Sequence, residues 1–144
     1  MGRHGVCFTV HGEPQGKGRP RHVTRGVRVI THTPDKTAAY ENLVKMEYQR
    51  QCGDMRFGDS EMLEMIVTAY HNIPKSVSRK KRTSMELGEI RPAKKPDVDN
   101  VLKVIADSLN HLAYRDDSQI VDARVRKYYA LKPRVEVSIK VVGG

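Results

Sequence analysis

The sequence predicts an α/β (α+β) fold: a single domain in which two to three helices pack a mixed, largely antiparallel sheet. Three observations carry that expectation. Strand-like and helix-like segments alternate along the chain. The last segment, from Arg134 to Val142, sets Val135, Val137, Ile139 and Val141 on one face and Glu136, Ser138 and Lys140 on the other, the period of a half-buried strand. A length of 144 residues suits one domain with an ordinary core.

Taken in order, Val6 to Val10 reads as a first strand ended by Gly12 and Pro14. The stretch Gln15 to His22 is rich in glycine, proline and positive charge and fits neither regular structure. Val27 to Thr31 then returns as a strand, closing a hairpin with a basic tip. Pro34 to about Gln51 forms a helix, with proline in the first turn and Tyr40, Leu43, Val44 and Tyr48 at helical spacing. Met62 to Tyr70 is a strand. Pro74 opens a second, basic helix that runs toward Leu87 and stops at Gly88. A third helix starts near Asp99 and ends near Leu112. Ile120–Tyr129 and Arg134–Val142 close the chain as two strands, and hairpins at both ends make the sheet at least partly antiparallel.

Charge points to the partner. The chain has 26 Lys and Arg against 17 Asp and Glu, a net charge of +9, and so basic a surface is suited to nucleic acid. No apolar run approaches the ~18–20 residues that cross a bilayer, and no signal-peptide core is present, so a cytosolic protein without membrane contact is expected. Cys7 and Cys52 lie far apart without a metal-binding spacing and read as buried or idle thiols.

Against that background, the run Lys95-Pro96-Asp97-Val98-Asp99-Asn100-Val101-Leu102-Lys103, followed by Asp116-Asp117, concentrates scarce acids beside a lysine. Carboxylates are what Mg²⁺ prefers, and Mg²⁺ on a phosphate-binding surface supports phosphodiester chemistry. Pro96 keeps Lys95 out of the helix, so Asp97 and Asp99, two apart on an extended approach, share a face, and Asp99 or Asn100 serves as N-cap. From there Asp99, Lys103, Asp107 and Asn110 make one polar stripe, and Val101, Leu102, Ile105, Leu109 and Leu112 the apolar one. Asp107 reads as orienting Lys103. The same acids also read as helix caps and a solvated ladder, and Asp116-Asp117 as turn residues. An EF-hand is excluded, because Val101 stands at the third ligand position. Gly12 to Gly18 is one residue short of a phosphate-binding loop and lacks its Ser or Thr.

These motifs, with Asp107-Ser108-Leu109-Asn110 and Tyr114-Arg115-Asp116-Asp117-Ser118-Gln119-Ile120, resemble the RusA-type Holliday junction resolvases of bacteria and prophages. The likeness extends to the basic segment Pro14–Arg21, to Ile73-Pro74-Lys75 with its basic helix, and to Lys127. It implies a small α/β homodimer that cuts four-way DNA junctions by paired symmetric nicks with Mg²⁺, Mn²⁺ standing in. By position, Asp97, Asp99 and Asp117 match the family's catalytic, metal-holding carboxylates, and Lys103 matches its essential lysine. Asp117 ranks above Asp116, and spacing alone leaves that choice open.

Two basic clusters frame these acids. Lys17, Arg19 and Arg21 belong to the first, Lys75, Lys80 and Lys81 to the second, and Lys95 lies in the linker; all seven are expected to contact the DNA backbone. Lys127 fits either a phosphate contact or an exposed sheet position. Phe8, Tyr40, Tyr48, Phe57 and Tyr70 read as packing residues. Two further functions fit the same residues: a non-catalytic nucleic-acid binder, and a nuclease for other branched DNA.

Overall fold

A computed structural model describes residues 5–18, 21–25, 28–32 and 35–143, with the backbone alone between 21 and 32. Its elements are β1 (Gly5–His11), β2 (Arg21–Arg25), β3 (Arg28–His32), α1 (Asp35–Cys52), β4 (Leu63–Asn72), α2 (Arg79–Glu86), α3 (Val98–Ser108), a 3₁₀ turn (Asp117–Gln119), β5 (Ile120–Ala130) and β6 (Arg134–Val141).

Four strands make one sheet in the order β1-β6-β4-β5. β6 runs antiparallel to both β1 (Phe8↔Val137) and β4 (Val67↔Val137), while β4 and β5 are parallel (Val67↔Val125). Parallel neighbours need a long crossover, and the segment holding α2 and α3 supplies it. The expected hairpins are therefore corrected at both ends. β1 pairs with the C-terminal strand, and the basic hairpin is the separate β2–β3 pair (Val23↔Ile30). β4 lies between β5 and β6; its apolar run of Leu63, Met65, Val67 and Ala69, all fully buried, suits a central strand.

α1 and α3 cover one sheet face. Tyr40, Val44 and Tyr48 of α1 and Val101, Val104 and Ile105 of α3 bury against Val6, Phe8, Val10, Val135 and Ile139. Phe8 and Tyr48 meet edge to face, with ring centroids 5.4 Å apart. Gln51 covers the free edge of β1: its amide oxygen accepts from Thr9 N at 2.9 Å and its amide nitrogen donates to Thr9 O at 2.7 Å.

Several boundaries differ from expectation. α2 begins at Arg79, not Pro74, because the Ser78 hydroxyl caps it by accepting from Lys81 N; Gly88, at φ +79°, ends it. α3 is capped by Asp97 rather than Asp99 or Asn100. Asp99 is thus already helical, and the shared face argued for an extended Asp97/Asp99 pair does not exist. α3 stops at Ser108 with Leu109 as its C-cap, and His111 takes a left-handed conformation (φ 67°) in the turn that follows; Leu109 still buries fully. Cys7 is exposed and not buried. Tyr70 is half-buried on the face opposite α3.

Candidate active site

The acids gather where one face of α3, from Asp99 to Ala106, meets the turn after the helix and the start of β5. A cavity of about 240 Å³ is lined by Asp99, Lys103 and Asp117 over a floor of Leu102, Ala106, Ile120 and Ala123. Asp99 and Lys103 reach it because they stand one turn apart on α3. Asp117 reaches it because the 109–116 turn folds back: Asp117 N donates to Asn110 Oδ1 at 2.8 Å, and the Tyr114 hydroxyl donates to Ala106 O at 2.7 Å, occupying a carbonyl at the end of α3.

Behind the cavity Asp107 is held by two lysines. Lys103 Nζ lies 3.1 Å and Lys17 Nζ 3.3 Å from its Oδ2, and Lys17 also reaches Glu41 Oε2 at 2.6 Å. Lys17 is delivered there by a loop fastened to α3. Lys17 N donates to Asn100 O at 3.0 Å and Gly18 N to Thr37 Oγ1 at 2.9 Å. A Cβ on Gly16 would stand 2.8 Å from Pro96 Cβ, so glycine permits this close approach.

The charges are matched unevenly. Burial and the neighbouring Asp107 push the Asp117 carboxyl above the usual carboxylate range. Burial opposes ionisation of Asp107 too, but hydrogen bonds from Lys103, Asp117 and Lys17 outweigh it and hold that carboxyl low. Burial likewise opposes the charge on Lys17, and Glu41 and Asp107 more than restore it.

The neighbouring Asp116 goes elsewhere. Its carboxylate accepts from Ser118 N at 2.9 Å and caps the 3₁₀ turn with Gln119, and the Ser118 bonds hold it below its ordinary range. Asp97 stands outside the cavity, exposed at the N-cap. It acts instead on Lys127, whose ammonium donates to Lys94 O and is lowered first by burial, with Asp97 opposing. Among the described residues no three His, Cys, Asp or Glu side chains are grouped to hold a metal ion.

Of the basic residues, Lys75, Lys80, Lys81 and Lys95 are exposed. Arg21 lies in β2, where the backbone alone is described, and Arg19 lies outside the described residues. Glu41 carries no signal in the sequence: it sits among the polar positions of α1, and only the fold brings it to Lys17.

Two comparisons bear on this site. The chain is 42% identical over 139 residues to an uncharacterized protein, YqaN, of Bacillus subtilis (strain 168), covering 95% of this chain and 96% of that relative. The family model described as "Endodeoxyribonuclease RusA" matches residues 11–140, which include the Gly16–Lys17 loop, all of α3 and the Asp116-Asp117 turn. With an acid-lined cavity set in a strongly basic chain, and that match over nearly its whole length, the chain belongs to the RusA endodeoxyribonuclease family.

Proposed function

We propose that the protein is a divalent-metal-dependent endonuclease that resolves four-way DNA junctions by paired, symmetric nicks and works as a homodimer. The observation that carries this reading is the meeting of Asp99, Lys103 and Asp117 in one cavity of a chain with net charge +9. The donor set suits Mg²⁺ or Mn²⁺. It is all oxygen, and Mg²⁺ is commonly held by one or two carboxylates with water and substrate phosphate completing the shell. The Asp107–Asp117 contact adds a reason, since two adjacent carboxyls of which one resists ionisation are relieved by a cation.

Asp99 and Asp117 would hold the ion. When bound, it supplies an activated water and neutralises charge on the phosphate. Lys103, steadied by Asp107 one turn on, offers a positive charge to the scissile phosphate where negative charge develops; losing one such contact costs about 10²–10³ in rate. Asp97 enters as a third catalytic carboxylate through the family resemblance alone. Lys75, Lys80, Lys81 and Lys95, with Arg19 and Arg21, would position the DNA backbone without reading its sequence, whereas Lys17, expected to join them, is engaged by Glu41 and Asp107. A dimer follows from the substrate, since nicks related by the junction's two-fold axis need two sites related likewise.

The test is cleavage of an end-labelled synthetic four-way junction beside a linear duplex and a flap, in Mg²⁺, Mn²⁺ and EDTA. Metal-dependent nicks on opposite strands of the junction, with the duplex intact, are expected. A junction bound but uncut under every metal would make the protein a binder only, and equal cutting of the flap would assign it to branched DNA in general.

A further inference from the structure

The sheet face turned away from α3 carries a ladder of stacked groups that the cleavage site does not use. Tyr70 on β4 stands opposite Tyr128 on β5 and Arg134 on β6 in the strand register. The two rings stack at 5.9 Å and 27°, the Arg134 guanidinium lies 4.0 Å over Tyr70, and the Arg91 guanidinium lies 4.1 Å over Tyr128. The order across the sheet is therefore Arg91, Tyr128, Tyr70, Arg134. A hollow of about 440 Å³ opens beside it, bordered by Tyr129, Leu131, Lys132 and Glu86.

Stacking fixes the plane of a guanidinium and leaves its in-plane donors outward, the arrangement that suits phosphate. Arg91 spends Nε on Lys127 O at 2.8 Å, and both Nη groups stay unpaired among the described residues. Arg134 spends Nε on Glu136 at 2.9 Å and Nη1 on Lys132 O at 3.0 Å, leaving Nη2. Glu136 offsets part of the Arg134 charge, whereas Arg91 pairs with no acid among the described residues. Lys132 adds a further positive charge at the hollow, set against Glu86. At about 3.3 Å per strand residue, Tyr128 lies roughly 16 Å along β5 from Ala123 in the floor of the acidic cavity and, an odd number of residues away, on the opposite sheet face, so a DNA backbone running from one to the other rounds the edge strand β5.

We propose that Arg91 and Arg134, held planar at the two ends of the Tyr128–Tyr70 stack, form a second, non-catalytic site that grips the sugar–phosphate backbone of the DNA arm leaving the carboxylate cavity. This rests on the reading of the protein as a junction nuclease. The tyrosines act as rigid spacers with both ring faces occupied, so the ligand is the phosphodiester backbone and not a base.

The experiment is equilibrium binding of the full chain to a labelled four-way junction, in EDTA to hold off cleavage, across a salt series. The variants are Arg91→Ala/Arg134→Ala, Tyr128→Leu and Tyr128→Phe, each shown folded by circular dichroism. Removing two phosphate contacts lowers the slope of log affinity against log salt by about two. Tyr128→Leu lowers that slope although it removes no charge, and Tyr128→Phe leaves it unchanged. A double-arginine variant with the wild-type slope overturns the proposal while leaving the nuclease reading intact, provided the wild type nicks the junction in Mg²⁺. A wild type that neither binds nor nicks the junction overturns both.

Discussion

Asp116 and Asp117 are chain neighbours with opposite fates. The Asp116 carboxylate bonds Ser118 N and is spent on capping a 3₁₀ turn, while Asp117 turns into the cavity with Asp99 and Lys103. Spacing left the choice between them open because it records neither cap nor cavity. His71 was unremarked in the sequence for the same reason. It is nearly fully buried, its Nε2 has no hydrogen-bond partner among the described residues, and Nδ1 lies 3.6 Å from Glu13. Burial chiefly, with Lys127 and Lys94 adding and Glu13 opposing, pushes its pKa below the ordinary 6.5. The sign follows. As pH falls below about 6.5 the unfolded chain takes up a proton that the folded chain refuses, so stability drops through that window and is full above it. Thermal midpoints at pH 7.5 and 5.5 should therefore differ less in His71→Gln than in the parent. An unchanged difference would contradict this role for His71.

At the scale of elements, the site is an outcome of where α3 begins and what packs on it. The apolar stripe and the polar series Asp99, Lys103, Asp107 were legible in the sequence because helical periodicity alone sets them. The cap was not. Asp97 takes it ahead of Asp99 and Asn100, where the local signals placed it, and that separates it from the acid it was expected to accompany. Strand partners were illegible too, since each strand announces its buried face but not its neighbour, and β4 took the place between β5 and β6. The Gly16 approach is testable. A Gly→Ala change at a permissive site gains about 0.4–1 kcal/mol through the unfolded chain, but here the added carbon meets Pro96 Cβ at 2.8 Å. Gly16→Ala should lose about 1–3 kcal/mol in urea denaturation. A gain in stability would show that the loop does not lie against α3.

For the whole molecule, composition spoke early and correctly about class. An excess of positive charge and few acids narrowed the partner to something anionic, and membership of the endodeoxyribonuclease family agrees. Among the described residues no helix is long and apolar enough to cross a membrane. Topology then divides the labour: one sheet face carries the core and α3, and the other carries the arginine–tyrosine ladder. The central claim is that carboxylates from α3 and from the turn behind it cooperate in cutting DNA. The most direct measurement is junction cleavage in Mg²⁺ by Asp99→Asn and Asp117→Asn beside junction binding by the same proteins. The account predicts cleavage slower by at least about 10²-fold, with binding kept or tightened because a negative charge facing DNA is gone. Either variant cutting at the parental rate would contradict it.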